Sequence, residues 1–356
     1  MTGTVKSSPE RSAMAPLDGL RVLDLTMWRP GPYATQLLAQ LGADVIKVEP
    51  PGGEPMRMFR DHFDALNRHK RGIALDLKSE DGLAALTELA RDAEVFVEGF
   101  RPGVAERLGV GHQTLRALNP RLVYCSISGY GAEGPLRDVP GHDINYRAHA
   151  AALPPDAVSP EADELPLADM AAATMAAFAI TAACLKARET GVGDRIDLGM
   201  ADVLAHWVGT VPVATRRSGV GPVPGYGVYP TKDGQKITLG VVSEEGLWAA
   251  TCHALGIGEH AAVPFAERLQ RIGELDGAVA AAVAALTREE AIERLARAGA
   301  PVAPLLSPAE MLELDHFRSR GIQEEGPVRT AVHPPLPEGA VPELDEHRGQ
   351  TWRLTE

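Results

Sequence analysis

Apolar residues fall in short unbroken runs along the first half of the chain, each followed by a helical pattern. The first run covers 20–25 and is followed by Gly31-Pro32, which opens a helix over 33–41 that Gly42 ends. Runs at 44–49, 73–77, 95–97 and 122–127 repeat the scheme, with helices predicted over 79–91 and 104–108. Such runs, alternating with helices, predict a parallel sheet covered on both faces, since a half-solvated sheet would alternate apolar with polar positions. An Ala-rich helix over 169–187, a strand at 195–198 and a helix over 200–208 complete this part.

The pattern changes at the Gly/Pro stretch 219–225. Beyond it, runs at 227–231 and 235–239 flank Lys232-Asp233-Gly234, a hairpin signal with Asp-Gly at the turn. Helices are predicted over 245–255, 275–285 and 288–298. The fold class expected is α/β, with a parallel sheet in a large domain and a smaller α+β domain. The expected boundaries are a disordered leader 1–16, the large domain 17–218, a linker 219–225, the small domain 226–320, and a Pro-rich tail 321–356 returning to the large domain.

At 356 residues, 45% hydrophobic and 23% charged, the chain has the balance of a globular protein with room for two domains. A net charge of −13 argues against nucleic acid as a partner but leaves room for a local basic pocket. Cys125, Cys184 and Cys252 form no CxxC, which excludes a cysteine-rich zinc site or disulfide framework and suits a reducing cytoplasm. The start lacks the apolar core of a signal peptide, and the run at 171–185 reads as too short and Ala-rich to cross a bilayer. A soluble cytoplasmic protein without a membrane partner is expected.

Gly129-Tyr130-Gly131-Ala132-Glu133-Gly134 satisfies GxGxxG after a strand, but Pro135 to Gly141 reads as loop where a dinucleotide site needs a helix to open. The first βα turn holds Trp28-Arg29-Pro30-Gly31-Pro32 instead, so nicotinamide binding is not expected. His142 stands at the predicted start of a helix with Asp143 in its first turn, where free N–H groups suit an oxyanion and an imidazole suits a base. The alternative is a surface histidine beside a capping aspartate. Asp169 enters the Ala-rich helix as an N-cap or as a base or nucleophile. Lys47, Arg68, Lys70, Arg71 and Arg101 lie near strand ends or in connectors, where an open parallel sheet binds ligands, and suggest a phosphate-bearing group.

Taken together, 17–25, 41–53, Glu98 to Val104, Ser128 to Gly131, Gly141 to Tyr146 and 316–321 resemble the type III CoA-transferase (CaiB/BaiF) and α-methylacyl-CoA racemase superfamily. The resemblance implies a Rossmann-like large domain, an interlocked-ring homodimer, an acyl-CoA substrate, and no cofactor beyond the CoA it carries. In transferases of the family the aspartate at Asp169 is a nucleophile, passing through an acyl anhydride and an aspartyl-CoA thioester. In racemases it pairs with the histidine of GHDINY, here His142, as two bases on opposite faces of the α-carbon, and the Asp143 N–H steadies the enolate. The complete GHDINY and the chain length favour a racemase acting at C2 of a 2-methyl-branched acyl-CoA. Transfer of CoA through Asp169 is the rival, and a non-catalytic acyl-CoA-binding protein the third reading. With a CoA ester as the ligand, the basic Lys47, Arg71 and Arg101 and the backbone at Gly129 are the expected CoA contacts, and Tyr130 and Gly131 are expected beside Asp143 at the oxyanion. The resemblance also implies a supporting glutamate after the small domain's first hairpin, a position held here by Ser243 or Glu244 depending on a one-residue gap, with Glu244 preferred. One departure stands out: racemases follow the aspartate with glycines, whereas here Met170-Ala171-Ala172-Ala173 follows, with methyl groups that would narrow a pocket.

Overall fold

The computed structural model describes residues 15–153, 165–210, 223–319 and 340–352. Contacts divide the chain into two compact units, 1–210 with 319–356 and 211–318. All but the last two residues of the expected leader, and most of the linker, lie outside the described residues.

The first unit runs β1 (Arg21–Leu25), α1 (Pro30–Gln40), β2 (Asp44–Glu49), α2 (Arg60–Asn67), β3 (Arg71–Ala74), α3 (Glu80–Asp92) and β4 (Val95–Glu98). It continues with α4 (Val104–Arg107), α5 (His112–Leu118), β5 (Val123–Ser128), α6 (Asp143–His149), α7 (Leu167–Thr190), β6 (Arg195–Gly199) and α8 (Met200–Gly209). Its six strands lie in the order β3-β2-β1-β4-β5-β6, all parallel. Val22, Val97, Cys125 and Ile127 pack on one face with residues of α1, α7 and α8, while Leu23, Ile46, Phe96 and Tyr124 pack on the other with α3 and α5. Burial on both faces explains the unbroken apolar runs. The chain order reverses between β1 and β4, and a doubly wound sheet binds its ligands in the crevice at that end of the strands.

Strand β3 begins at Arg71, two residues before the apolar run predicts. A charged residue is tolerated there because Arg71 Nε donates to Asp44 of β2 at 2.9 Å. Its outer edge is covered by the tail. The Gly72 N–H donates to His347 Nδ1 at 3.2 Å, the His347 N–H donates back to the Gly72 carbonyl at 3.0 Å, and the Ala74 N–H reaches Asp345 at 2.9 Å. Trp352 is buried against the second face, its Nε1–H donating to the Leu89 carbonyl. An edge strand left bare would be a template for pairing with another chain.

Helix α7 is longer than its sequence pattern predicts and has a mean hydropathy of 1.6 over its most apolar window, enough by length and composition alone to cross a membrane. The estimate that it is too short is corrected accordingly. It packs on α1, α8, β5 and β6, and buries Ala172, Ala176 and Ile180 against them.

In the second unit β7 (Tyr226–Pro230), β8 (Lys236–Gly240) and β9 (Val302–Pro304) form an antiparallel sheet in that order. Trp248, Leu275, Val279, Val283 and Leu295 from the helices Glu245–Leu255, Ile272–Ala284 and Arg288–Arg297 form its core. Arg268 is wholly buried there, its guanidinium 5.0 Å from the Trp248 ring centre and 2.9 Å from the Val242 carbonyl.

Candidate active site

Two loops meet where the sheet order reverses. After β1 comes Thr26-Met27-Trp28-Arg29, and after β4 comes Gly99-Phe100-Arg101; a Cβ at Gly99 would lie 3.7 Å from the Thr26 Cβ. The first loop rests on a buried ionic network. Lys47 Nζ lies 2.9 Å from Glu54 Oε1 and donates to the Thr26 carbonyl at 3.0 Å, both side chains being wholly buried. Lys70 donates to Asp24 at 3.0 Å, to the Pro32 carbonyl at 2.9 Å and to Asn67 at 2.8 Å. Burial would raise the Asp24 carboxyl, but Lys70 and Lys47, helped by the hydroxyls of Thr26 and Thr35, outweigh it and hold the group well below the carboxylate range. Burial pulls Lys70 down to about 8 against the opposing pull of Asp24. Trp28 has φ 64°, a left-handed conformation that costs a bulky residue on the order of 1–3 kcal/mol. Glu54 Oε2 holds it by accepting its N–H at 2.8 Å.

This network revises two of the expected CoA contacts. Lys47 and Arg71 are buried and ion-paired, with Glu54 and Asp44 respectively, so neither presents a free charge to a phosphate. Arg101 differs: it is exposed beside the crevice, and its charge is felt by the Tyr146 hydroxyl.

Asp169 lies in the first turn of α7, three residues beyond the N-cap position held by Pro166. The capping expected of Asp169 is performed by Asp143, whose Oδ1 accepts the N–H of Ala168 at 2.6 Å and that of Asp169 at 3.2 Å. Its other oxygen lies 3.6 Å from Arg147. The Asp169 carboxylate is therefore relieved of capping, and it has no hydrogen-bond or ion-pair partner among the described residues. Burial pushes it up to about 7, the Asp143 carboxylate pushes the same way, and the Arg29 guanidinium pulls it back. Ala171, Ala172 and Ala173 are all buried in the core. Their methyl groups fill the packing between α7 and its neighbours, which corrects the expectation that they narrow the ligand pocket.

His142 occupies the N-cap of α6 with its side chain exposed, and its backbone N–H donates to Asn145 Oδ1 at 3.0 Å. Asp143 follows it, so His142 and Asp169 stand at the starts of two helices that Asp143 ties together. The Asp143 N–H lies in the first turn, where its own helix offers it no acceptor. Tyr146 is clamped between two glycines: a Cβ would come within 2.5 Å of its ring at Gly129 and 2.8 Å at Gly141, and its hydroxyl donates to the Gly141 carbonyl at 2.5 Å. The space that Gly129 leaves open is thus occupied by Tyr146 rather than left for CoA. Burial pushes the Tyr146 hydroxyl up to about 12, with Tyr130 and Asp169 adding to the effect. Tyr130 packs edge-on to Tyr146, and its hydroxyl lies 2.6 Å from His149 Nδ1. Gly131 has φ 82° and sits beside the carboxylates of Asp202 and Asp197, while the Ala132 N–H donates to Asp197 at 2.9 Å. Two carboxylates make Gly131 a poor place for an oxyanion. From Gly131 to His142 the backbone is turn and loop, and the helix begins at Asp143.

Glu244 belongs to the second unit, where it stands at the N-cap position of the helix Glu245–Leu255 and its carboxylate accepts the Val242 N–H at 3.0 Å. Backbone N–H groups of its own turn hold it below the usual carboxylate range. Arg29, whose charge acts on Asp169, is not singled out by sequence spacing. Its turn drew notice only for lacking a dinucleotide fingerprint, although its place after β1 puts it at the reversal of strand order.

The Asp143–Asp169 coupling has a direct kinetic signature. A step that needs ionised Asp169 rises with pH through about 7. Asp143→Asn keeps an oxygen for both α7 N–H groups but removes the charge that raises Asp169. Its rising limb is expected at lower pH than the parent's in pH–rate profiles, and an unmoved limb would show that the two carboxylates do not interact.

A model of CoA-transferase family III matches residues 17–354. The chain is 32% identical over 380 residues to the acetyl-CoA:oxalate CoA-transferase of Acetobacter aceti, covering 97% of this chain and 96% of that one. It is 30% identical to the succinate–glutarate CoA-transferase of Agrobacterium fabrum, with 94% of each covered. The crystal structure of a CAIB/BAIF family protein from Brucella suis superposes with a TM-score of 0.82 at 27% identity, over 94% of this chain and 98% of that one. The curated relatives are named as transferases, which overturns the expectation of an acyl-CoA racemase. The GHDINY segment that prompted it has a structural use that needs no racemisation: Asp143 caps α7, Asn145 closes the turn at His142, and Tyr146 fills the gap between Gly129 and Gly141. On the match across nearly its whole length, the chain belongs to CoA-transferase family III.

Proposed function

We propose that this protein moves CoA from an acyl-CoA to a free carboxylic acid, with Asp169 as the nucleophile. The observation that carries the reading is the state of that carboxylate: half-buried, relieved of helix capping by Asp143, and subject to the charge of Arg29. A carboxylate partly withdrawn from water and not engaged in capping is a stronger nucleophile than a fully solvated one.

The steps balance as follows. An Asp169 oxygen attacks the thioester carbonyl, and CoA leaves as thiolate, giving a mixed anhydride. The thiolate attacks the Asp169 carbonyl carbon, releasing the first acid as carboxylate and leaving an aspartyl-CoA thioester. The acceptor carboxylate attacks that carbon, expels the thiolate and forms a second anhydride. The thiolate then takes the acyl carbon, which yields the new acyl-CoA and restores Asp169. Every attack on a carbonyl develops an oxyanion. The first-turn N–H of Asp143, to which its own helix offers no acceptor, is a donor on this chain suited to stabilise it. The acceptor is of the dicarboxylic class, since the relatives above are named for oxalate, succinate and glutarate.

Hydroxylamine tests the covalent step. Protein incubated with acyl-CoA and hydroxylamine is expected to carry a hydroxamate on the peptide containing Asp169, detected by mass spectrometry. Turnover between an acyl-CoA and a free acid with no modification at Asp169 would remove it as the nucleophile.

A further inference from the structure

Arg29 differs from the other basic groups near the ends of β1 and β2. Lys47 is paired with Glu54, Lys70 with Asp24 and Arg57 with Glu49. Arg29 is half-buried, and the hydrogen bond it makes among the described residues is to an imidazole, His62 Nδ1 at 3.2 Å, not to a carboxylate. It stands in the loop after β1, where the sheet order reverses, at the N-cap of the helix that packs along α7, and its charge is felt at Asp169.

The turn carrying it is built to stay where it is. Trp28 is held left-handed by Glu54, and Glu54 by the wholly buried Lys47, which also grips the Thr26 carbonyl. Backbone strain over-determined in this way clusters at ligand clamps. A planar guanidinium presents parallel N–H donors that match a carboxylate, which an ammonium does not. Small dicarboxylic acids carry their two carboxylates only a few carbons apart, so a group reading the distal one must stand near the nucleophile.

We infer that Arg29, braced by His62, is a specificity-determining residue that holds the distal carboxylate of a dicarboxylic substrate while Asp169 works on the other end. The inference rests on the transferase reading. A monocarboxylic acid of the same length leaves the guanidinium without its partner. A site built to bond a polar group rejects the analogue lacking it by up to ~10⁴-fold, and partial exposure of Arg29 reduces this to about 10²–10³.

The test compares succinate with butyrate as acceptor, acetyl-CoA being the common donor, in the parent, Arg29→Gln and Arg29→Lys. The parent is expected to prefer succinate in kcat/KM by about 10²–10³. Arg29→Gln is expected to lower that ratio about 100-fold or more, with Arg29→Lys between the two. Folding is checked by circular dichroism, and the ratio is internal to each variant. Equal losses for both acids would assign Arg29 to the chemistry of Asp169 and overturn the inference. A raised KM for acetyl-CoA with the ratio intact would assign it to the phosphates of CoA, with the same consequence. Absence of transfer to either acid in the parent would overturn the transferase reading itself, and this inference with it.

Discussion

Asp169→Asn is expected to abolish CoA transfer, with turnover falling ~10⁴-fold or more, as loss of a covalent nucleophile does elsewhere. The amide is nearly the same shape, and the caps on α7 are backbone N–H groups received by Asp143, so the helix start is left intact. The same variant is expected to be more stable than the parent above neutral pH. The sign follows from the raised pKa. Asp169 sits at about 7 in the folded chain and 3.8 in the reference state, so between these values the folded protein holds a proton that the unfolded chain has released. Stability therefore falls as pH rises through that window, and the full cost of the ionised group is present above 7. Removing the charge should recover roughly 1–3 kcal/mol at pH 8, an advantage that shrinks as pH falls towards 4. Thermal denaturation at both pH values, set beside activity, measures the two effects together. A variant that keeps its turnover, or gains stability equally at pH 4 and 8, would contradict the assignment.

Lys47→Met is expected to cost about 3–5 kcal/mol of folding stability, because it leaves Glu54 buried without its cation. Both side chains are wholly buried, so water cannot replace the lost partner. Glu54→Gln on top of Lys47→Met should recover much of the loss, since it removes the orphaned charge while keeping an oxygen for the Trp28 N–H. Denaturant titration of the single and double variants gives the coupling. The KM for acyl-CoA should change little in the double variant, provided its Trp28 turn is intact. A small stability change with a large rise in that KM would instead restore Lys47 to the CoA site. The general point concerns buried cations near strand ends: position alone suggests a phosphate site, and only the partner shows whether the charge is available.

The same distinction runs through the histidine and aspartates. His142, Asp143 and Asp169 were each visible as residues at the starts of helices. Capping is common there, and spacing could not say which aspartate caps which helix. The structure answers that Asp143, on the short helix, caps the long one, and so relieves the Asp169 carboxylate of capping.

Local sequence determined the strands, most helices and the α/β class, because each follows from burial on both faces of a sheet and from turn residues acting over a few positions. Charge availability was decided only in three dimensions. Lys47 and Arg71 find their acids on other segments, the triple alanine turns its methyl groups into the core, and Tyr146 takes the space offered by two distant glycines. The place of Arg29 was set the same way, since the strand order that brings the β1 and β4 loops together follows from sheet pairing across residues 22 to 98 and not from any local motif. Pairing partners far apart in sequence carry no periodicity, and that is the physical reason the elements were legible and the site was not.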